Sequence, residues 1–297
     1  MSRKSSGGIR VRYLLVPLGL IVAVAAAVFL TGKSGPTGEN EWITFVKANT
    51  GDAEAQYLSG LPYDKRRGGV NDEARAVGWY EKAAAQGHVE AQIALADLYN
   101  DDKTEARRDK AFALYNGLKA PTPAIKRKLA EFHLTGRGSV KKDVITGERL
   151  LREAAEAGDA PAEKAWGQRL NAMGDREGAK PWLNKCADRG DNQCITDMAY
   201  LLYNTGDRPA AITYFNRAAD RGAADAQIRL SMLHFNGMNV AKDQVLAYKW
   251  ALLAQNGPKG SAAVSEARSA VPFIESRLTP AQIAEGKKQA EAFRPAS

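Results

Sequence analysis

Hydrophobic positions along the chain recur with a period near 34 residues from about residue 51 onward. Each unit usually has an alanine four positions after a glycine, and large apolar residues eight and twelve positions after it. Spacing by four places these side chains on one face of a helix. A turn and a second helical stretch follow, and a pair of small residues precedes the next glycine. Two helices in a unit of this length are typical of an α-solenoid.

The unit boundaries share a hexad that begins with glycine in most units. We expect each of these glycines to adopt the left-handed backbone conformation that ends a helix. Small residues on both sides of the boundary allow successive helices to pack closely. The chain is therefore predicted to be all-α, with about six helix pairs over residues 41–260 and capping helices with a tail over 261–297. The hexads begin at Gly51, Gly87, Pro121, Gly158, Gly190 and Gly222.

The C-terminal segment carries its own helix start. Thr279 is a predicted N-cap, Pro280 follows at the first helical position and Gln282 stands at the third. The stretch from there to Phe293 is half polar, as the exposed end of a solenoid requires.

The repeated unit resembles the Sel-one-like repeat, a relative of the tetratricopeptide repeat. The third unit reads LAEFHLTGRGSVKKD over Leu129–Asp143, the first ends GWYEKAA over Gly78–Ala84, and the sixth contains GMNVAKD over Gly237–Asp243. The resemblance covers about residues 51–260. It implies a right-handed α/α solenoid in a bacterial protein that acts as a scaffold, regulator or adaptor rather than an enzyme.

An uncharged apolar segment precedes the repeats. Tyr13–Leu30 has 18 residues, which rise about 27 Å as a helix and approach the thickness of a bilayer core. Bases and no acid come before it, so residues 1–12 are predicted to stay in the cytoplasm and 31–40 to form a linker beyond the membrane. The alternative is a cleaved signal peptide, which would release a soluble periplasmic protein. The bases are Arg3, Lys4, Arg10 and Arg12.

A formal net charge of +8 could indicate a nucleic-acid-binding protein, but the distribution of the charge along the chain argues against this function. Four of the 42 basic residues precede the apolar segment, so half of the excess belongs to membrane topology and the remainder is only mildly basic. Aromatic residues do not interleave with the basic clusters, which are Lys65–Arg67, Arg107–Arg108, Lys126–Lys128 and Lys141–Lys142. We therefore expect the inner membrane and envelope proteins as partners, and no nucleic acid.

Cys186 and Cys194 lie four residues before and four residues after Gly190, at positions that are alanine in sister units. The same spacing is bridged in a cysteine-rich subgroup of Sel-one-like proteins. Side chains at these positions should face each other across the turn, within reach of a disulfide, and an oxidising periplasm would permit the bond. The alternative is a pair of buried free thiols that act as small hydrophobic residues.

Candidate catalytic chemistry is sparse. His133 and His234 take the repeat position usually held by tyrosine, and no second ligand stands at metal spacing. Serine–histidine–aspartate and HExxH patterns do not occur in the sequence. We expect no enzyme activity, no metal and no cofactor.

The predicted function is recognition of protein partners in a concave groove lined by the first helix of each pair. The leading hypothesis is a scaffold for a secretion, conjugation, motility or polysaccharide-export machine. A periplasmic regulator of a sensor kinase or cell-wall enzyme is the alternative, and a glycan-binding or enzymatic module is the second alternative. The candidate partner-binding residues, chosen as outward positions, are Glu90, Lys126, Lys128, Glu163, Arg169, Asp197 and Arg229.

Overall fold

The computed structural model describes residues 39–102 and 104–296. These residues form fifteen α-helices and two short 3₁₀ turns, with no strand in the described ranges. They group into two compact units. Unit 1 contains the described residues up to Ala120 together with the loop Arg137–Val140, and unit 2 contains Pro121–Gly136 and the chain from Lys141 onward.

Unit 1 contains the first five helices. They are α1 (Glu39–Asn49), α2 (Ala53–Gly60), α3 (Glu73–Ala85), α4 (Val89–Asp101) and α5 (Glu105–Asn116). Two 3₁₀ turns, Leu61–Tyr63 and Lys65–Arg67, lengthen the connection between α2 and α3. Helix α1 includes Glu39 and Asn40, the last two residues of the predicted linker 31–40.

Unit 2 contains the remaining ten helices, which pack in sequence along the chain. They are α6 (Pro123–Thr135), α7 (Val144–Glu156), α8 (Ala160–Ala172), α9 (Arg176–Asp188), α10 (Asn192–Thr205), α11 (Arg208–Asp220), α12 (Ala224–Asn236), α13 (Gln244–Ala254), α14 (Ala262–Glu275) and α15 (Pro280–Ala292).

The six predicted helix pairs are confirmed. We call the first helix of each pair, α2, α4, α6, α8, α10 and α12, an A helix, and its successor, α3, α5, α7, α9, α11 or α13, a B helix. The small residues around the boundaries within each unit let a B helix approach the next A helix closely, and these side chains have almost no solvent exposure. The pairs within units 1 and 2 are Ala83 and Ala91, Ala154 and Ala162, Cys186 and Cys194, and Ala218 and Ala226.

The boundary glycines end the preceding helices as predicted. Gly158, for example, has a φ of +87°, and a Cβ there would meet no atom within 4 Å. Its left-handed conformation, rather than lack of space, therefore favours glycine. Positive φ angles are found at Gly51, Gly87, Gly158, Gly190 and Gly222.

Helices α14 and α15 close the C-terminal end, where capping helices were predicted. Thr279 and Gln282 form the expected capping box at the start of α15. This helix packs on α13, and Gly286 lies so close to Tyr248 that a Cβ at this glycine would be 2.7 Å from the ring. The chain then turns back, and the amide of Ala296 donates to the carbonyl of Asp220 at 2.7 Å.

No helix in the described part of the chain is both long enough and apolar enough to span a membrane. The predicted cytoplasmic segment 1–12 and anchor 13–30 lie outside the described residues.

Candidate functional site

The solvent-facing side of the A helices contains most of the predicted partner-binding residues. Lys128, Asp197 and Arg229 each lie seven residues after the start of their hexad, and all three are half-buried. Glu90 lies one helical turn earlier in its own repeat, and its side chain is 65% exposed. Within each unit, we call the surface formed by these two repeat positions, and by the position one turn further on, the A-helix face.

Glu163 does not lie on the A-helix face, so its outward assignment is wrong. It is 0% exposed and lies three residues before the buried Trp166, on the core side of α8. Its repeat position holds a glutamine in three sister units. The glutamine amides each donate to a carbonyl eight residues earlier, at the end of the preceding helix: Gln56 to Ala48, Gln92 to Ala84, and Gln227 to Ala219.

Glu163 is instead neutralised by two bases at the C-terminal end of α9. Its carboxylate accepts hydrogen bonds from Lys185 and from Arg189, which immediately follows that helix. Burial alone would raise the pKa of Glu163, but the hydrogen bonds from Lys185 and Arg189 outweigh it and hold the pKa below the ordinary value. Glu163 is therefore part of the folded core of its repeat.

Two further candidates form ion pairs between an A helix and a B helix. Lys126 Nζ lies 2.7 Å from a carboxylate oxygen of Glu153, and Arg169 Nη2 lies 2.7 Å from one of Glu148. Hydrogen bonds from Lys126 and then Arg149 hold the pKa of Glu153 below its ordinary value. Both bases thus have acidic partners within the chain.

A second set of contacts links neighbouring repeats in unit 2. The fifth residue after the N-cap of an A helix contacts the N-cap of the next A helix. Arg127 Nε lies 2.8 Å from Asp159, and Lys164 Nζ lies 2.9 Å from Asp191. Each aspartate also accepts a hydrogen bond from the backbone of its own helix, so it caps one helix and binds another. We call this contact the N-cap bridge.

The residue types at the N-cap bridge change together. In unit 1 the fifth residue is Tyr57, and its ring stacks on the N-cap residue His88 with centroids 5.0 Å apart. Where the next N-cap is Ala223, the fifth residue is Thr196 and is not basic. In these examples the fifth residue is basic where the next N-cap is an aspartate, and in unit 1 it is a tyrosine that stacks on a histidine N-cap.

An aromatic and basic group on unit 2 was missed by the sequence reasoning. The Cζ atom of Arg208 lies 3.6 Å from the ring centroid of Tyr203, and that of Arg229 lies 5.5 Å from the same centroid. Arg229 also lies over Tyr200, at 5.4 Å. We call these four residues the arginine–tyrosine cluster. Tyr200 follows Asp197 by three residues, and this helical spacing could have placed it on the A-helix face.

The predicted disulfide is present between Cys186 and Cys194, with Cα atoms 5.8 Å apart. Neither cysteine is a free thiol, so the structure excludes that alternative. Asp191 lies beside the sulfur atoms, and the three residues form the one potential metal-ligand group found among the described residues. Because both sulfurs are bonded to each other, this group offers no thiolate to a metal ion.

Comparison with known proteins supports the architecture. The family model described as Sel1 repeat matches residues 53–88, 89–120, 126–159, 195–222 and 224–254, which together exceed half of the chain. The fourth helix pair, which contains Glu163, lies outside these segments. A region of 133 residues is 26% identical to Chitin synthase regulatory factor 4 of Schizosaccharomyces pombe. That match covers 44% of this chain and only 21% of the fungal protein.

Two solved structures have the same fold. One is a protective antigen of uropathogenic Escherichia coli strains displaying an SLR fold, with a TM-score of 0.57, 22% identity, and coverage of 85% of this chain and 63% of that one. The other is a Sel1 repeat protein from Oxalobacter formigenes, with a TM-score of 0.51, 17% identity, and coverage of 98% and 94%. The repeated sequence, the paired helices and the matched segments lead to one conclusion: the chain belongs to the Sel1 repeat family.

Proposed function

We propose that this protein is a non-enzymatic scaffold of the bacterial cell envelope, held in the inner membrane by residues 13–30 with its repeats in the periplasm. It assembles a multi-protein machine for secretion, conjugation, motility or polysaccharide export. Sel1 repeat proteins are generally protein-interaction scaffolds, and the family is typically non-catalytic.

The A-helix face is the observation that carries the proposal. Three A helices of unit 2 present a charged side chain at the equivalent position, namely Lys128, Asp197 and Arg229, and Tyr200 lies about one turn beyond Asp197. A repeated array of this kind suits an extended protein segment, which can contact several repeats in succession. The disulfide supports the periplasmic location, because such bonds persist in oxidising compartments.

Topology can be tested with alkaline phosphatase, which is active only after export, fused after residue 297. We expect an active fusion in the membrane fraction, and an inactive one after deletion of residues 13–30. An inactive fusion of the complete chain would contradict the proposal. An active fusion that fractionates as a soluble, shortened protein would show that the N-terminal segment is a cleaved signal peptide rather than an anchor.

One observation favours a regulator as the alternative function. The curated relative is named as a regulatory factor of chitin synthase, an enzyme that makes a wall polymer. By analogy, the A-helix face would bind and restrain a cell-wall enzyme or a sensor kinase. Gene deletion separates the two functions, because loss of a scaffold abolishes the machine, whereas loss of a restraining regulator gives constitutive hydrolysis or signalling.

A further inference from the structure

The arginine–tyrosine cluster brings together three helices of two successive pairs. Tyr200 and Tyr203 lie on α10, Arg208 is the first residue of α11, and Arg229 lies near the middle of α12. Both guanidinium groups face the ring of Tyr203, and all four side chains are half-buried. Stacking on an aromatic ring holds a guanidinium in place without consuming its hydrogen-bond donors.

The cluster differs from four other basic side chains on the A helices of unit 2. Lys126, Arg127, Lys164 and Arg169 each have a carboxylate partner within the chain. For the described residues, neither arginine of the cluster has a carboxylate oxygen within the 4.0 Å of an ion pair. Nη1 of Arg208 is moreover buried without a hydrogen-bond acceptor in the described structure.

Such donors favour an external carboxylate. Both guanidinium groups are half-buried and have no carboxylate partner among the described residues, so their remaining donors can form charge-assisted hydrogen bonds to a carboxylate. The two guanidinium groups are oriented by one ring, so they are preorganised and lose little side-chain entropy on binding. The exposed edges of Tyr200 and Tyr203 add apolar surface for a neighbouring side chain.

Acidic groups around the cluster argue for a peptide rather than a polyanion. Asp207 is the N-cap next to Arg208, Asp197 lies one turn before Tyr200, and Asp225 and Glu266 act electrostatically on Tyr200. Nucleic acid or polyphosphate would meet these charges along its length, whereas a short segment with one or two acidic side chains would not.

We infer that the arginine–tyrosine cluster binds an acidic segment of a protein partner, with carboxylates against Arg208 and Arg229 and an apolar side chain against the tyrosines. This inference rests on the proposed scaffold function and specifies the chemistry of its partner. The two can fail separately, since the topology experiment does not involve the cluster.

The probe is a phage-displayed library of random twelve-residue peptides, selected on the full chain. We expect the selected peptides to be enriched in aspartate and glutamate relative to the starting library. In fluorescence anisotropy with one selected peptide, Arg229→Gln and Arg208→Gln should each weaken binding about tenfold. Arg127→Gln is the matched control, because Arg127 is already paired with Asp159 and is not one of the candidate partner-binding residues, and it should leave binding unchanged.

Several results would overturn the inference. Among them are failure to select peptides, selection without acidic enrichment, and equal binding by wild type and Arg229→Gln. Replacing the acidic residues of the peptide with their amides should abolish the effect of Arg229→Gln, which a merely structural role of the arginine would not predict. Arg229-dependent binding of inorganic triphosphate, with no such effect on any peptide, would identify a phosphate site instead. Thermal unfolding of each variant verifies that it is folded.

Discussion

Residue 163 shows how one repeat position can hold either an amide or a charge. Gln56, Gln92 and Gln227 each donate to a backbone carbonyl, whereas Glu163 accepts from Lys185 and Arg189. The sequence indicates that residue 163 lies on the core side of its helix, since Trp166 and Leu170 follow it three and seven residues later. Its burial was nevertheless missed because a glutamate is almost never fully buried unless it is paired, and the two bases that pair with it lie more than twenty residues further along the chain.

Glu163→Gln should lower the free energy of unfolding at pH 7 by about 1 kcal/mol, because charge-assisted hydrogen bonds are replaced by neutral ones. The folded-state pKa of Glu163 is lowered, so its stabilisation is present above the ordinary pKa of 4.5 and is lost as the pH falls through the lowered value. Urea denaturation at a series of pH values should therefore show the two proteins converging below pH 4.5.

Gln227→Glu is the matched control for this position. The residues of repeat six that correspond to Lys185 and Arg189 are Leu252 and Asn256, so the new carboxylate would have neither base. We expect a loss of about 3 kcal/mol or more at pH 7, because an unpaired charge is buried. A tolerated Gln227→Glu, or a pH-independent difference for Glu163→Gln, would contradict this account of the position.

The disulfide was predicted from residue positions, and its effect can be isolated in the same way. Cys186→Ala with Cys194→Ala recreates the alanine pair of the sister repeats, so the double variant should fold. It should lose about 2–3 kcal/mol of unfolding free energy, as expected for closing a short loop. Urea denaturation of oxidised wild type, reduced wild type and the double variant measures the loss. Equal stability of all three would show that the bond contributes nothing.

The helices and their ends follow closely from local sequence. Boundary glycines, N-cap residues and the small pairs act within a few residues, and these predictions are confirmed at Gly158 and Thr279, among others. The N-cap bridge could not be predicted, because Arg127 and Asp159 are brought together only when two repeats stack. The repeat period of the family varies along this chain, so such pairs do not recur at one fixed separation.

The N-cap bridge makes a prediction about Asp159. Asp159→Asn keeps a capping side chain but removes the charge that faces Arg127, so we expect a loss of only about 0.5 kcal/mol. Asp159→Ala removes both contacts and should cost about 1–2 kcal/mol. Asp52→Asn is the control, because Asp52 caps α2 without a base at a bridge position. In urea denaturation, an equal loss for Asp52→Asn and Asp159→Asn would show that the bridge has no effect.

At the scale of the whole molecule, the repeat period predicted the all-helical solenoid and its number of pairs. The match to the Sel1 repeat family and the two solved structures confirm that architecture. The arginine–tyrosine cluster was beyond this reasoning, because its residues come from three helices and only Arg229 occupies a position already considered. Most of the features that could not be predicted from the sequence are therefore contacts between repeats.

Closure of the solenoid at its C-terminal end depends on a close helix contact. Gly286→Ala would place a methyl group 2.7 Å from the ring of Tyr248, so we expect a loss of about 1–2 kcal/mol despite the better helix propensity of alanine. Gly78→Ala is the matched control, because a Cβ at Gly78 meets nothing within 4 Å, and it should gain about 0.5–1 kcal/mol. Thermal and urea unfolding test whether the two substitutions differ in sign.

Partner binding through the A-helix face is the central claim, and crosslinking in living cells tests it most directly. A photoreactive amino acid placed at Lys128, Asp197 or Tyr200 should give a crosslinked product with the same discrete protein. Placed at Ile145, which lies on α7 and is 84% exposed, it should give none. Products from Ile145 alone, or no product from any of the three A-helix positions, would contradict the account.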